Sequence, residues 1–279
     1  MKQLLKILIP IAMTAFFTQS VSGYGPKGYE PNKDQKKIGS KSRGGKVRHG
    51  YGRPKGPPVD IPAHIKERMS SDGKGINLNG SQIGVKGMAI VAQTPELKNV
   101  TSMALRSNKL GDEGVRIITQ SSTFQALEFL SLWDNGISPA GIKMLARGAN
   151  FNKLKELNLM QNNIGDEGVI LLVDSSNLSQ LTSLDLSANK VGDQGAIAIA
   201  TSPYLSNLKK LDLFNNQIGP RGLEAILKSK TLVSLKEIDF VKNKIDDAIA
   251  EKLWKSHMNS CRALKKSNNP QEKLPLCKN

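Results

Sequence analysis

Cys261 and Cys277 are the only thiols of this 279-residue chain, and His49, His64 and His257 are its only imidazoles. Nucleophilic catalysis of the Ser–His–Asp kind needs a histidine beside the nucleophile. A zinc site needs Cys and His in closely spaced sets. Neither pattern assembles from residues so scattered. The segment Gly111-Asp112-Glu113-Gly114 has the outline of a phosphate loop but lacks the Lys-Ser/Thr that grips a phosphate. It also recurs as Gly165-Asp166-Glu167-Gly168, and recurrence marks it as structural. The reading is no enzyme, no cofactor and no metal. The chemistry that remains is binding.

Binding residues are only as meaningful as the elements that present them, and a repeat supplies those elements. Asparagines stand at Asn108, Asn135, Asn162, Asn189, Asn216 and Asn243, each 27 residues from the last. One step further back falls on Ser81, where the pattern persists without the amide. Leu130, Leu157, Leu184 and Leu211 lie five residues before the Asn, and Leu132, Leu159, Leu186 and Leu213 three before it. Apolar residues separated by one predict a short strand with a single inward face. The Asn sits where the chain leaves that strand, and its amide can serve backbone groups that the turn leaves unpaired. An Asp of the Gly-Asp-Glu-Gly kind is expected to cap the helix that follows. In that helix Val115/Ile118, Val169/Leu172 and Leu223/Ile226 are expected to face inward. Ser, Asn and Pro close each unit.

One such unit cannot bury its apolar face, but a stack can. Strands repeat at about 4.8 Å while packed helices need about 8–10 Å, so the stack must curve with its strands inside. The pattern resembles the leucine-rich-repeat family. Its Ile-Gly-Asp-Glu-Gly segment is similar to the ribonuclease-inhibitor class, although the units are slightly shorter than that class has. The resemblance implies an α/β fold, a curved leucine-rich-repeat solenoid over residues 74–254 in seven units. Parallel strands would line its concave face and short helices its convex face. It also implies a scaffold for binding proteins.

The register then selects the outward residues. Phe129, Trp133 and Met160 are expected to be exposed together on adjacent strands, with Arg106 beside them; Trp and Arg are common anchors of interfaces. Phe214 lies in the same outer column. Asp185, Asp212 and Asp239 line up in the middle column and favour a partner with a basic patch, or the chain's own basic arm folded back. These eight residues form the expected protein-binding face.

The net charge of +16 is concentrated at the ends. Residues 1–23 read as a signal peptide, with Lys2 and Lys6, an apolar run to Phe17 and a break after Gly23. Residues 24–58 read as a basic flexible arm rich in Gly, Pro and Lys; residues 24–55 hold ten Lys/Arg against two acids, a net +8. Residues 59–73 should cap the first repeat. Residues 255–279 should form a C-terminal cap and basic tail, with Leu253 and Trp254 inward on a helix from Ala248 to Leu264. In an exported protein, Cys261 and Cys277 should form one disulfide. The alternative to a secreted protein-binding scaffold is a polyanion or surface binder that works through the basic termini, with an affinity that falls steeply as salt rises.

Overall fold

A computed structural model describes residues 60–267 and 273–277. The expected leader and basic arm lie outside the described residues. Seven three-residue strands form one parallel sheet in sequence order: β1 Gly75–Asn77, β2 Ser102–Ala104, β3 Phe129–Ser131, β4 Glu156–Asn158, β5 Ser183–Asp185, β6 Lys210–Asp212 and β7 Glu237–Asp239. Each pair is in register at the 27-residue step, as in Leu130↔Leu157 and Leu184↔Leu211. Helices alternate with the strands: α2 Gly84–Ala92, α3 Gly111–Gln120, α4 Pro139–Arg147, α5 Gly165–Val173, α6 Asp193–Thr201 and α7 Pro220–Leu227. The helices are short because a unit of this length has few residues to spare.

The leucine columns, with Val115, Ile118, Val169, Leu172, Leu223 and Ile226, are buried in one continuous core. Individual units hold each other through three sets of side-chain hydrogen bonds. The first is the asparagine ladder. Asn162 Oδ1 accepts from the backbone N–H groups of Asn135 (3.1 Å) and Ile137 (3.0 Å), and its Nδ2 donates to Leu132 O at 3.0 Å. Asn108, Asn135, Asn189 and Asn216 likewise reach back into the preceding unit. The direction explains Ser81. Among the described residues no unit precedes the first, and none of them lies 30 residues back to receive an amide there. Ser81 Oγ instead meets His64 Nε2 of helix α1 (Ile61–Arg68) at 2.8 Å.

The second set corrects an expectation. Asp112 does not cap its own helix; α3 has no side-chain cap. Its Oδ1 accepts from Ser138 N at 2.8 Å, at the start of the next helix, α4. Asp166 takes the N–H groups of Gly192 and Gly195 at the start of α6, and Asp193 those of Gly219 and Gly222 at the start of α7. A Cβ on Gly195 or Gly222 would stand 2.7 Å from that same carboxylate oxygen, so glycine is what admits the cap. In the third set, Ser121, Ser175, Ser202 and Ser229 donate to the last carbonyls of the preceding helix. α4, α6 and α7 are thus closed at their starts from the unit before, and α2, α4, α5 and α6 at their ends from the unit after.

The ends are covered by different means. α1, capped by Asp60, buries Ile61 and Ile65 against the first unit, and a Met69↔Ile76 bridge continues onto β1. α8, Asp247–Ser267, follows the last unit. Leu253 and Trp254 are only half-buried there; the buried residues of that face are His257 and Cys261. Cys261 is bonded to Cys277, which brings Leu276 N onto Leu235 O at 2.9 Å and Leu276 against the core.

Candidate functional site

The strand face opposite the leucines carries three columns of side chains. The column nearest the turn holds Asn79, Arg106, Trp133, Met160, Ser187, Phe214 and Val241. Register places Arg106, Trp133 and Met160 at equivalent positions after three adjacent strands, with Phe129 at the start of β3. The structure thus brings four of the expected residues into one sector. They are half-buried, not openly exposed. The guanidinium of Arg106 lies over the Trp133 ring, 4.6 Å from its centroid, a cation–π contact worth about 0.5–1 kcal/mol at such a site. Trp133 Nε1–H donates to Gln161 Oε1 at 3.3 Å. Arg106 and Gln161 therefore hold the indole in a set orientation. Sequence reasoning did not reveal Gln161, because its position just before the ladder asparagine looked like part of the turn.

Phe214 lies two strands from Met160, outside this sector. Lys242 of the next unit stands 5.1 Å from its ring centroid. Asp185, Asp212 and Asp239 are direct neighbours across β5, β6 and β7. Burial first, then the charge of Asp212, raises the Asp185 pKa to about 6. Burial raises that of Asp239 as well, with Asp212 adding to the shift and Lys210 offsetting part of it. Asp212 also accepts a hydrogen bond from Ser187 Oγ at 2.6 Å. The concave face thus has an aromatic and cationic sector on β2–β4 and a carboxylate sector on β5–β7.

One further cluster could bear chemistry. His257, Cys261 and Cys277 are the one set of three metal-ligand types gathered among the described residues, with ligand atoms within 4.8 Å of one another. The sulfurs are joined in the disulfide, so no thiolate is present to bind an ion. Burial lowers the pKa of His257. The signal that sequence reasoning passed over is the four-residue spacing of His257 and Cys261, which sets both on one helix face. On the convex side Ile170 and Ile197 are exposed on the neighbouring helices α5 and α6. No described helix is long and apolar enough to cross a membrane.

The family model described as "Leucine Rich repeat" matches residues 96–116, 152–173, 178–200 and 204–227. Among solved structures, the chain is similar to InlP of Listeria monocytogenes at 16% identity and a TM-score of 0.41, over 62% of this chain and 44% of that one. It is similar to internalin C2 of Listeria monocytogenes at 20% identity and a TM-score of 0.42, over 64% of this chain and 76% of that one. The chain thus spans less than half the length of InlP. No curated protein sequence matches it.

Proposed function

Given that the chain is a leucine-rich-repeat protein, we propose that it is a secreted scaffold that holds a protein partner on the concave face. The β2–β4 sector, Arg106, Phe129, Trp133 and Met160, forms the centre of contact. One observation carries this reading: a large aromatic side chain stands on the strand face opposite the core, pre-oriented by a stacked Arg106 and a hydrogen-bonded Gln161. Large apolar groups on an open sheet face are a liability to a protein that never covers them. An indole held in one rotamer loses less entropy on binding, which is how anchor residues gain affinity. Export is supported by the leader-like residues 1–23 and by the Cys261–Cys277 disulfide, a bond typical of oxidising compartments.

The test uses the full chain and its captured partner. Trp133→Ala should weaken affinity about 30-fold, the equivalent of about 2 kcal/mol, with little change in thermal midpoint. Lys143→Ala with Arg147→Ala, on the exposed side of α4, should change neither. Unchanged affinity in Trp133→Ala, together with loss of binding when residues 24–55 are neutralised, would replace this reading with the polyanion one.

A further inference from the structure

The middle column of the concave face changes character half-way along. β1 and β4 contribute Asn77 and Asn158, whereas β5, β6 and β7 contribute Asp185, Asp212 and Asp239. All five make the same local bond, accepting the backbone N–H two residues on. Asn77 accepts from Asn79 at 3.1 Å and Asn158 from Met160 at 2.9 Å; Asp185 accepts from Ser187 at 2.9 Å, Asp212 from Phe214 at 3.0 Å and Asp239 from Val241 at 2.9 Å. A neutral amide does the structural work as well as a carboxylate. The charge on β5–β7 is therefore surplus to the fold. It is also costly, because carboxylates directly opposite one another on adjacent strands repel. Burial and the charge of Asp212 both oppose ionisation of Asp185 and Asp239, with Lys210 offsetting part of the effect.

A row of half-buried carboxylates on an open face favours a cationic occupant, and the chain carries one. Residues 24–55 hold ten Lys/Arg against two acids. The described chain begins at Asp60, and α1 then packs on β1. From residue 24 to residue 59 the chain can extend about 120 Å, while β1 to β7 spans about 29 Å. Reach is ample. The tether also gives this segment an effective concentration in the millimolar range, well above that of a free basic peptide.

We propose that residues 24–55 dock on the carboxylate sector of the concave face, along Asp185, Asp212 and Asp239, as a basic ligand built into the same chain. The proposal rests on the reading of the concave face as the binding surface.

Zero-length carbodiimide coupling of the full-chain monomer tests it, since the reagent joins a carboxylate to a nearby lysine amine as an amide and leaves as its urea. Mass spectrometry should find Asp185, Asp212 or Asp239 linked to lysines such as Lys33, Lys37, Lys41 and Lys46. In about 0.5 M NaCl, where the screening length is only a few ångströms, the yield should fall at least fivefold. In the Asp185→Asn/Asp212→Asn/Asp239→Asn variant, trypsin should cut within residues 24–55 at least fivefold faster than in the parent, with the fold intact. Links from the arm mainly to convex acids such as Glu113 and Glu167, links only between two chains, or unchanged tryptic rates would overturn docking. Trp133→Ala should leave the links in place. If links form while Trp133→Ala leaves partner affinity unchanged, docking stands and the reading of Trp133 fails; if affinity falls and no link forms, docking alone fails.

Discussion

Two columns of short polar side chains run the length of the solenoid four residues apart, and they obey different rules. The ladder column is Asn in six units. The middle column of the concave face is Asn in two, Asp in three, and Ala104 or Ser131 in the others. Both columns accept backbone N–H groups. The difference lies in where the bonds go. A ladder asparagine must donate as well as accept; all the N–H groups it accepts from belong to the preceding unit, and its Nδ2 donates both to that unit and to its own. A middle-column Asn or Asp accepts the backbone N–H of its own unit, and only Asp212 adds a bond across units, from the Ser187 hydroxyl. Bonds that cross units fix the residue type, while bonds within a unit leave charge free to be used for something else.

The largest effect should come from breaking the ladder. Asn162→Ala removes the acceptor for Asn135 and Ile137 N–H and the donor to Leu132 and Leu159 carbonyls. Each buried group left unpaired costs about 1–3 kcal/mol. We expect a loss of about 4 kcal/mol in urea unfolding. The same change at Asn243, whose side chain is only half-buried and which no later unit receives, should cost clearly less. Ser81→Asn should gain nothing, because no described unit precedes the first to receive the amide. Asn243 also bonds to Ile218 N–H and Leu213 O of the preceding unit, so equal losses at Asn162 and Asn243 would mean that these partners alone, and not burial, set the cost.

The middle column should respond in the opposite direction. Asp185 has a folded-state pKa raised from 3.8 to about 6. For a raised carboxylate the stabilising state is the protonated one: its contribution is full below pH 3.8 and is lost as pH rises through about 6. The parent should therefore lose stability between about pH 4 and 6, by about 2 kcal/mol on the scale of 1.36 kcal/mol per pKa unit. Asp185→Asn keeps the acceptor for Ser187 N–H, as Asn158 does for Met160. It should be about 1–2 kcal/mol more stable than the parent at pH 7 and nearly flat across that window. A variant less stable at pH 7 would mean that the carboxylate does structural work after all.

The same distinction explains what could be read without a structure. The 27-residue period, the leucine columns and the strand register were legible because each recurs in every unit and follows from the alternation of a strand. The role of the ladder amide was legible in kind but not in direction. The Asp112, Asp166 and Asp193 caps were misassigned to their own helices because an acidic residue in a first turn looks like a local cap, while its partner lies 26 residues away. His257 was missed on α8 because a terminal cap has no second copy to compare with. The half-burial of Trp133 escaped notice for a related reason. Its cover comes from Arg106 and Gln161, one unit to either side, and alternation within one strand carries no information on side chains of the neighbouring units.

The smallest effect separates strain from function in the column just before the ladder. Ser107, Asp134, Gln161, Ala188, Asn215 and Lys242 all have φ between 54° and 59°, a left-handed conformation that costs an L-residue about 1–2 kcal/mol. Glycine adopts it freely but gains about 0.4–1 kcal/mol of conformational freedom in the unfolded chain. Ala188 has no side-chain function beyond its methyl group, so Ala188→Gly should raise stability by about 0.5 kcal/mol and leave partner affinity alone. Gln161 shares the backbone but orients Trp133, so Gln161→Gly should give a similar gain in stability while partner affinity falls several-fold. Thermal midpoints and partner titrations of the two variants side by side decide the matter. If both gain stability and neither loses affinity, the Trp133–Gln161 hydrogen bond serves neither the fold nor the binding face.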